Sequence, residues 1–290
     1  HFTPSIADIG VVRDFNTVEI DGEQRDDVES FFAGIETEVA RSVRSVIEDP
    51  SAFTGIDKEW IVWLITCIGI RNPRLRGTIA KAFEELSIHM AELVSATPER
   101  YAQVLRDIER DQGKPSNGVT YEQFRDFIKR REFTVSMGNN FHVGQELRML
   151  EEIHGLLMRR NWRFLTAKPE TGGFVCTDHP VALVWSDPTY RPPLNAGPGF
   201  GSVGSTVYFP LSPQLLLEGR FEAFDEPGDR IPLVTEGVAI ANNNLIRYAD
   251  RQVYAPHNRF MFMVRKSGNW SMSTGHRLLD DWPKKMDCKL

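Results

Sequence analysis

The chain has 290 residues, 41% hydrophobic and 26% charged, a composition that excludes disorder, collagen-like repeats and a disulfide scaffold. Its net charge of −6 sets up a field that repels phosphate backbones, so nucleic acid is a disfavoured partner. At this length one large core, or two lobes sharing an interface, is expected.

The cysteines, Cys67, Cys176 and Cys288, are odd in number, far apart and without a C-x-x-C pair. That spacing supports neither a zinc cage nor a secreted disulfide framework, so free thiols are expected, with Cys67 and Cys176 buried. The longest apolar run, Trp60 to Ile70, is shorter than the ~18 residues of a membrane span and predicts a buried helix. The chain opens at His1 without a basic segment followed by an apolar one, so nothing marks it for export and a cytoplasmic location is expected.

Helical periodicity begins near Asp26. Over Asp27 to Glu48 the apolar residues, among them Ile35, Val39, Val43, Val46 and Ile47, form one stripe, which Asp49-Pro50 ends. Asp57 is a suitable N-cap for the next helix, which closes at Arg71-Asn72-Pro73 because a residue before proline leaves the α region. A third helix runs from Arg74 to about Ser95, with Ile79, Ala82, Phe83 and Leu86 inward. Pro98 opens a fourth, and Thr120-x-x-Gln123 is the capping box of a fifth. A sixth, from about Asn140 to Arg160, completes the helical half.

From Asn161 the pattern changes. Trp162 to Ala167, Pro169 to Gly173 and Phe174 to Thr177 predict strand, turn and strand, with the Gly-Gly pair supplying the positive φ of a hairpin. Further strands are expected at Val181 to Trp185, Thr206 to Phe209, Gln214 to Glu218 and Phe260 to Val264, and one helix from Glu236 to Tyr248. Strands following helices indicate an α+β fold, with a helical lobe over 1–160 packed as one cooperative unit on a strand-rich, mainly antiparallel lobe over 161–290. The Pro- and Gly-rich stretch from Ser186 to Gly204 has the length and composition of a mobile lid.

Several motifs have a bland explanation beside a functional one. Gly199 to Gly204 matches G-x-G-x-x-G, but a proline-rich loop precedes it and a strand follows, where a dinucleotide site needs a strand and then a helix N-terminus. Glu151-x-x-His154 is half of a carboxylate di-iron pattern without its second copy, so a structural histidine is expected. Asp178, in Cys176-Thr-Asp-His-Pro180, could be a general base at a strand end or a carboxylate capping backbone N–H groups. Arg71, Arg74 and Arg76 complement the negative end of a helix, or clamp an anion with rigid guanidinium forks.

Taken in order, these segments resemble the bacterial domain-of-unknown-function family numbered 4238. The resemblance rests on His1-Phe-Thr-Pro4, Ile35-Glu36, Arg71-Asn-Pro-Arg-Leu-Arg76, a tryptophan strand at Trp162 leading to Thr177-Asp-His-Pro180, Phe209-Pro-Leu-Ser212, and an Asn-led helix ending near Val253-Tyr254. Ile6 to Phe15 replaces the family's Tyr-Leu-x-x-Phe stretch, and His179 stands where asparagine is commoner. The resemblance implies an α+β fold and picks out His1, Glu36, Arg71 and Asp178, while bringing no established reaction.

Two functions fit these residues. In a hydrolase, His1 or Asp178 would be the base, Glu36 would orient or ligate, and Arg71 would hold an anionic group, with Arg76, His179 and Asn242 contacting a small-molecule or peptide substrate. In a non-catalytic binding or immunity-type protein, Glu36, Arg71 and Asp178 would form a structural salt-bridge network. No spacing supports a metal, and no motif bears on a cofactor or on oligomeric state.

Overall fold

The computed structural model describes residues 18–20, 23–25, 27–71, 73–113, 118–131, 133–192, 197–225, 228–266 and 269–281. The fold is α+β, with helices mostly in the N-terminal half and a mainly antiparallel sheet in the C-terminal half. The chain divides into two compact units, one of residues 1–72 and 143–290, the other of 73–142. These boundaries differ from the expected division at residue 160, because three of the N-terminal helices share a core with the strands.

In the first unit a short hairpin, β1 (Val18–Ile20) and β2 (Glu23–Arg25), precedes α1 (Asp27–Glu48). The stripe expected on α1 is inward at Val39 and Val46, whereas Ile47 is exposed. Asp49 ends the helix as expected and caps the 3-10 turn Pro50–Ala52 through its hydrogen bond from the Ser51 N–H, 3.0 Å. The next helix, α2 (Gly55–Ile70), is capped by Thr54 rather than by Asp57. Asp57 instead accepts from the hydroxyls of Ser42 at 2.7 Å and Ser45 at 3.1 Å, so its carboxylate fastens α2 to α1 from within the first turn.

The main sheet has the order β5-β6-β7-β3-β8, built from β3 (Asn161–Ala167), β5 (Ala182–Trp185), β6 (Ser205–Ser212), β7 (Leu215–Arg220) and β8 (Arg230–Leu233). Only the β3–β8 pair is parallel. Both faces are buried, so the central strands read as near-continuous apolar runs, as at Leu215, Leu216 and Leu217. Phe164, Leu183, Val207, Phe209, Leu215 and Leu217 meet α1, α2 and α6 (Asn139–Met158) through Val46, Ile61, Val62, Ile65, Leu150, Ile153 and Leu157. On the opposite face Leu165, Ala167, Ala182 and Leu216 meet α7 (Thr235–Tyr248) and β10 (Met261–Lys266). A hairpin joins β10 to β11 (Asn269–Thr274), and α8 (Leu278–Asp281) follows.

The hairpin expected between Trp162 and Thr177 does not form. β4 (Cys176–Thr177) pairs with β9 (Val253–Tyr254), and β3 pairs with β7 and β8. Gly172 and Gly173 do have positive φ, 83° and 76°, but they serve close approach. A Cβ at Gly172 would lie 2.4 Å from the Arg259 carbonyl oxygen, and one at Gly173 would lie 2.7 Å from that of Pro213. Cys176 is exposed, not buried as expected, because it occupies a two-residue strand paired only with Tyr254 and Val253.

The second unit contains α3 (Pro73–Val94), α4 (Pro98–Gln112) and α5 (Tyr121–Arg130). Thr97 caps α4 ahead of Pro98, and Thr120 with Gln123 completes the capping box on α5. Tyr101 organises this unit, stacking on Phe124 at 5.2 Å and donating to the Val119 carbonyl at 2.7 Å. The face of α3 expected to be inward is not: Ala82, Phe83 and Leu86 are exposed and Ile79 is half-buried. The half-buried positions include Ala80, Ser87, Ile88, Ala91 and Val94, and α4 and α5 both pack against α3.

Candidate functional site

Asp178 leaves β4 in a turn set by Thr177, whose hydroxyl accepts the His179 N–H at 3.2 Å. Its carboxylate accepts three main-chain N–H groups. Oδ1 accepts from the Asp250 N–H at 2.9 Å, and Oδ2 accepts from the N–H groups of Arg251 at 2.7 Å and Gln252 at 3.1 Å. The Asp178 N–H returns a bond to the Gln252 carbonyl at 3.2 Å. Three consecutive amides after α7 thus form a nest around one carboxylate, which aligns β9 beside β4. The N–H groups that Asp178 caps belong to a segment more than seventy residues away, not to the local Asx-turn ahead of Pro180 that its sequence neighbours suggest.

Arg71 caps the C-terminus of α2 and is half-buried; its N–H donates to the Cys67 carbonyl at 3.1 Å. Burial pushes the Cys67 thiol up to about 11, against the opposing pull of the Arg71 charge. The last turn of α2 lies against the segment that follows Asp178. A Cβ at Gly69 would meet Phe200 Cζ at 2.8 Å and Val181 Cγ1 at 3.6 Å. The elements carrying Arg71 and Asp178 are therefore neighbours. Glu36 is exposed on α1, one residue after Ile35, which packs on the core. His1 lies outside the described residues.

Of the three expected ligand contacts, Arg76 lies half-buried near the start of α3 in the second unit. His179 is buried, its ring 6.4 Å from that of Tyr248. Asn242, fully buried on α7, accepts the Val175 N–H at 3.0 Å and donates to the carbonyls of Gly173 at 2.9 Å and Met261 at 2.8 Å. Both of its amide hydrogens and its oxygen serve the backbone, so it ties α7 to β10 and to the strand preceding Asp178.

Cys176 and Tyr254, paired across β4 and β9, adjoin the same carboxylate. Desolvation and, more weakly, Asp178 push both groups up, disfavouring thiolate and phenolate. Tyr254 donates to the Gln252 side chain, extending the network toward the nest. Among the described residues no three His, Cys, Asp or Glu side chains gather as a metal site would require. No helix there is long and apolar enough to cross a membrane. The Gly199 to Gly204 motif forms a turn that enters β6 directly, without a helix N-terminus to receive a pyrophosphate.

His154 stacks on Trp63 at 4.1 Å with 14° between the rings, and its Nδ1 is buried without a hydrogen-bond partner. Burial lowers its basicity, with Glu59 opposing. A histidine whose folded value lies below its unfolded value of about 6.5 gives stability present above that pH and lost as pH falls. The melting temperature is expected to drop from pH 7 to pH 5, and His154→Phe should keep the stack while flattening that drop. Equal slopes in both proteins would refute the assignment.

The polar residues that sequence reasoning missed lie around the sheet. Arg160, 2% exposed, donates from Nη1 to the carbonyls of Ser205 at 2.9 Å and Gly219 at 3.2 Å. Its Nη2 donates to the Phe200 carbonyl at 2.7 Å and to Ser205 Oγ at 3.0 Å. The segment from Ser186 to Gly204 is thus held at Phe200, and also where the Ser186 N–H meets the Gly204 carbonyl at 2.8 Å. Residues 193–196, in its middle, lie outside the described residues. On β3 and β7, Arg163 pairs with Glu218 at 2.6 Å. Arg163 shares the parity of the inward Leu165 and Ala167, a pattern that marks it in the sequence as a charge on a core-facing side.

Helices covering both faces of a mostly antiparallel sheet, with a carboxylate nest beside it, define an α+β protein organised around a clasped turn. The chain belongs to the family described as protein of unknown function, DUF4238, whose model matches residues 1–258. No curated protein and no solved structure matches the chain.

Proposed function

We propose that this protein is a non-catalytic binding protein of the immunity type, which holds a small molecule or peptide without transforming it. The observation that carries the reading is the engagement of Asp178. Both Asp178 oxygens accept main-chain N–H groups, three bonds in all, which fix the carboxylate as a structural acceptor for residues 250–252. Arg71 and Asp178 act here as structural residues, Arg71 steadying the end of α2 and Asp178 the turn beside it. Thiols at Cys67 and Cys176 suit the reducing cytoplasm, and the acidic balance argues against nucleic acid as the partner.

Asp178→Asn is the discriminating variant. Loss of charge-assisted bonds to three amides should lower stability by about 1–3 kcal/mol, read from urea unfolding. The wild-type protein should turn over no ester, phosphoester or peptide substrate. Turnover by the wild type that disappears in Asp178→Asn at unchanged stability would overturn the reading. One observation favours a hydrolase as the second reading: Glu36 is exposed, leaving a carboxylate on α1 open to solvent. That reading takes His1 as its base and Arg71 as its anion holder.

A further inference from the structure

One row of side chains crosses the main sheet on its α7 side. Glu218 on β7 lies directly opposite Arg163 on β3 and Tyr208 on β6, and Arg220 follows two residues along β7 on the same side. Arg163 Nε donates to Glu218 Oε2 at 2.6 Å, and the Tyr208 hydroxyl donates to Oε1 at 3.4 Å. Arg220 Nη2 remains 4.0 Å from that same Oε1. Both guanidinium groups stack on Phe224, at 4.1 Å for Arg163 and 4.2 Å for Arg220.

The charges in this row do not balance. Two cations face one carboxylate, with side-chain exposures of 12% for Arg163, 21% for Arg220 and 7% for Glu218. Arg163 and Tyr208 take up the Glu218 oxygens, so Arg220 carries the surplus. Its Nε is buried without a hydrogen-bond partner, although a guanidinium offers five donors. Stacking on one phenyl ring recovers only part of what desolvating a second cation costs.

We propose that Arg220, with Arg163 beside it, forms a binding site for a small oxyanion, the carboxylate or phosphate group of a ligand. The planar fork of Arg220 matches either group with two parallel hydrogen bonds. Phe224 supplies an apolar wall that fixes the fork, and the partial exposure of Arg220 supplies the entry. The site uses none of the residues of the clasped turn, so it stands or falls apart from the function proposed above.

The test is titration of the full chain with inorganic phosphate and, separately, acetate at constant ionic strength, followed by calorimetry and melting temperature. Saturable binding of either anion is expected; phosphate alone would identify a phosphate ligand, and acetate a carboxylate. Arg220→Met, which keeps the stem against Phe224, should abolish saturation, and Arg220→Lys should weaken it about tenfold by losing the fork. Arg251→Met, at an exposed arginine, should bind as the wild type does. If Arg220→Met does not fold, Arg220→Lys decides alone. Absence of saturation in the wild type, or undiminished binding in the Arg220 variant measured, overturns the proposal.

Discussion

Arg160→Met is expected to lower the unfolding free energy by about 3–5 kcal/mol, the range for removing one member of a buried, hydrogen-bonded charge network. The substitution preserves the stem while leaving the carbonyls of Ser205, Gly219 and Phe200 without their donor. The positive face of the guanidinium over the Phe221 ring, 4.3 Å away, is lost as well. Burial pushes the Arg160 side chain down to about 10, with Glu222 opposing, so it remains charged at neutral pH. Arg160→Lys should recover less than half of the loss, because one ammonium cannot serve both sides of the fork. Urea unfolding gives both numbers. A loss below about 1 kcal/mol for Arg160→Met would show that this residue does not anchor the segment at Phe200.

Asn242→Asp should destabilise at least as strongly as Asn242→Ala, for which a loss of about 2–4 kcal/mol is expected from three buried backbone groups left unpaired. Aspartate has the shape of asparagine but accepts only. It would turn an oxygen toward the Gly173 and Met261 carbonyls, which now receive the amide hydrogens. A residue held only to contact a ligand would show the opposite order, since the isosteric variant would disturb the fold least. Thermal unfolding of the two variants side by side distinguishes these outcomes, and an aspartate variant as stable as wild type would remove Asn242 from the framework.

Helices were the more legible half because their determinants are local. The range of α1 follows from its apolar period and from Asp49-Pro50, and the start of α5 from Thr120 and Gln123, whose reciprocal bonds form within one turn. Several strand positions were legible too, from short apolar runs bounded by turn residues, but partners were not. Nothing within Pro169 to Gly173 says that the two glycines face Arg259 and Pro213 instead of each other across a hairpin. β8 and β9 escaped for a related reason: Arg230–Leu233 contains a proline, and Val253–Tyr254 is two residues long, so each exists only through its partner strand.

For the polar residues the limit was the same. The capping chemistry of Asp178 was readable from its place beside a turn, yet its partners at 250–252 lie far along the chain. Asp57 looked like a cap because it stands near a helix start, and the hydroxyls of Ser42 and Ser45 that claim it are set by how α1 crosses α2. Arg160 sits at the edge of a helical pattern, where arginine is ordinary, and only the fold turns it inward.

The discontinuity of the first unit has a consequence for synthesis. Ribosomes deliver α2 before the whole of 73–142, and the strands that share its core come later still. At about 5–20 residues per second, Ile61, Val62, Ile65 and Ile70 wait roughly 5 to 30 seconds for Phe164, Val207 and Leu217 to emerge. Until α6 emerges, α1 is the helix of that core available for a helix apolar on nearly every side to lie against. The Asp57 clasp on Ser42 and Ser45 can close at once, since it needs nothing beyond residue 57. The α1–α2 pair can therefore close before the rest of its core exists, and burial of its remaining apolar surface waits for α6, β3, β6 and β7.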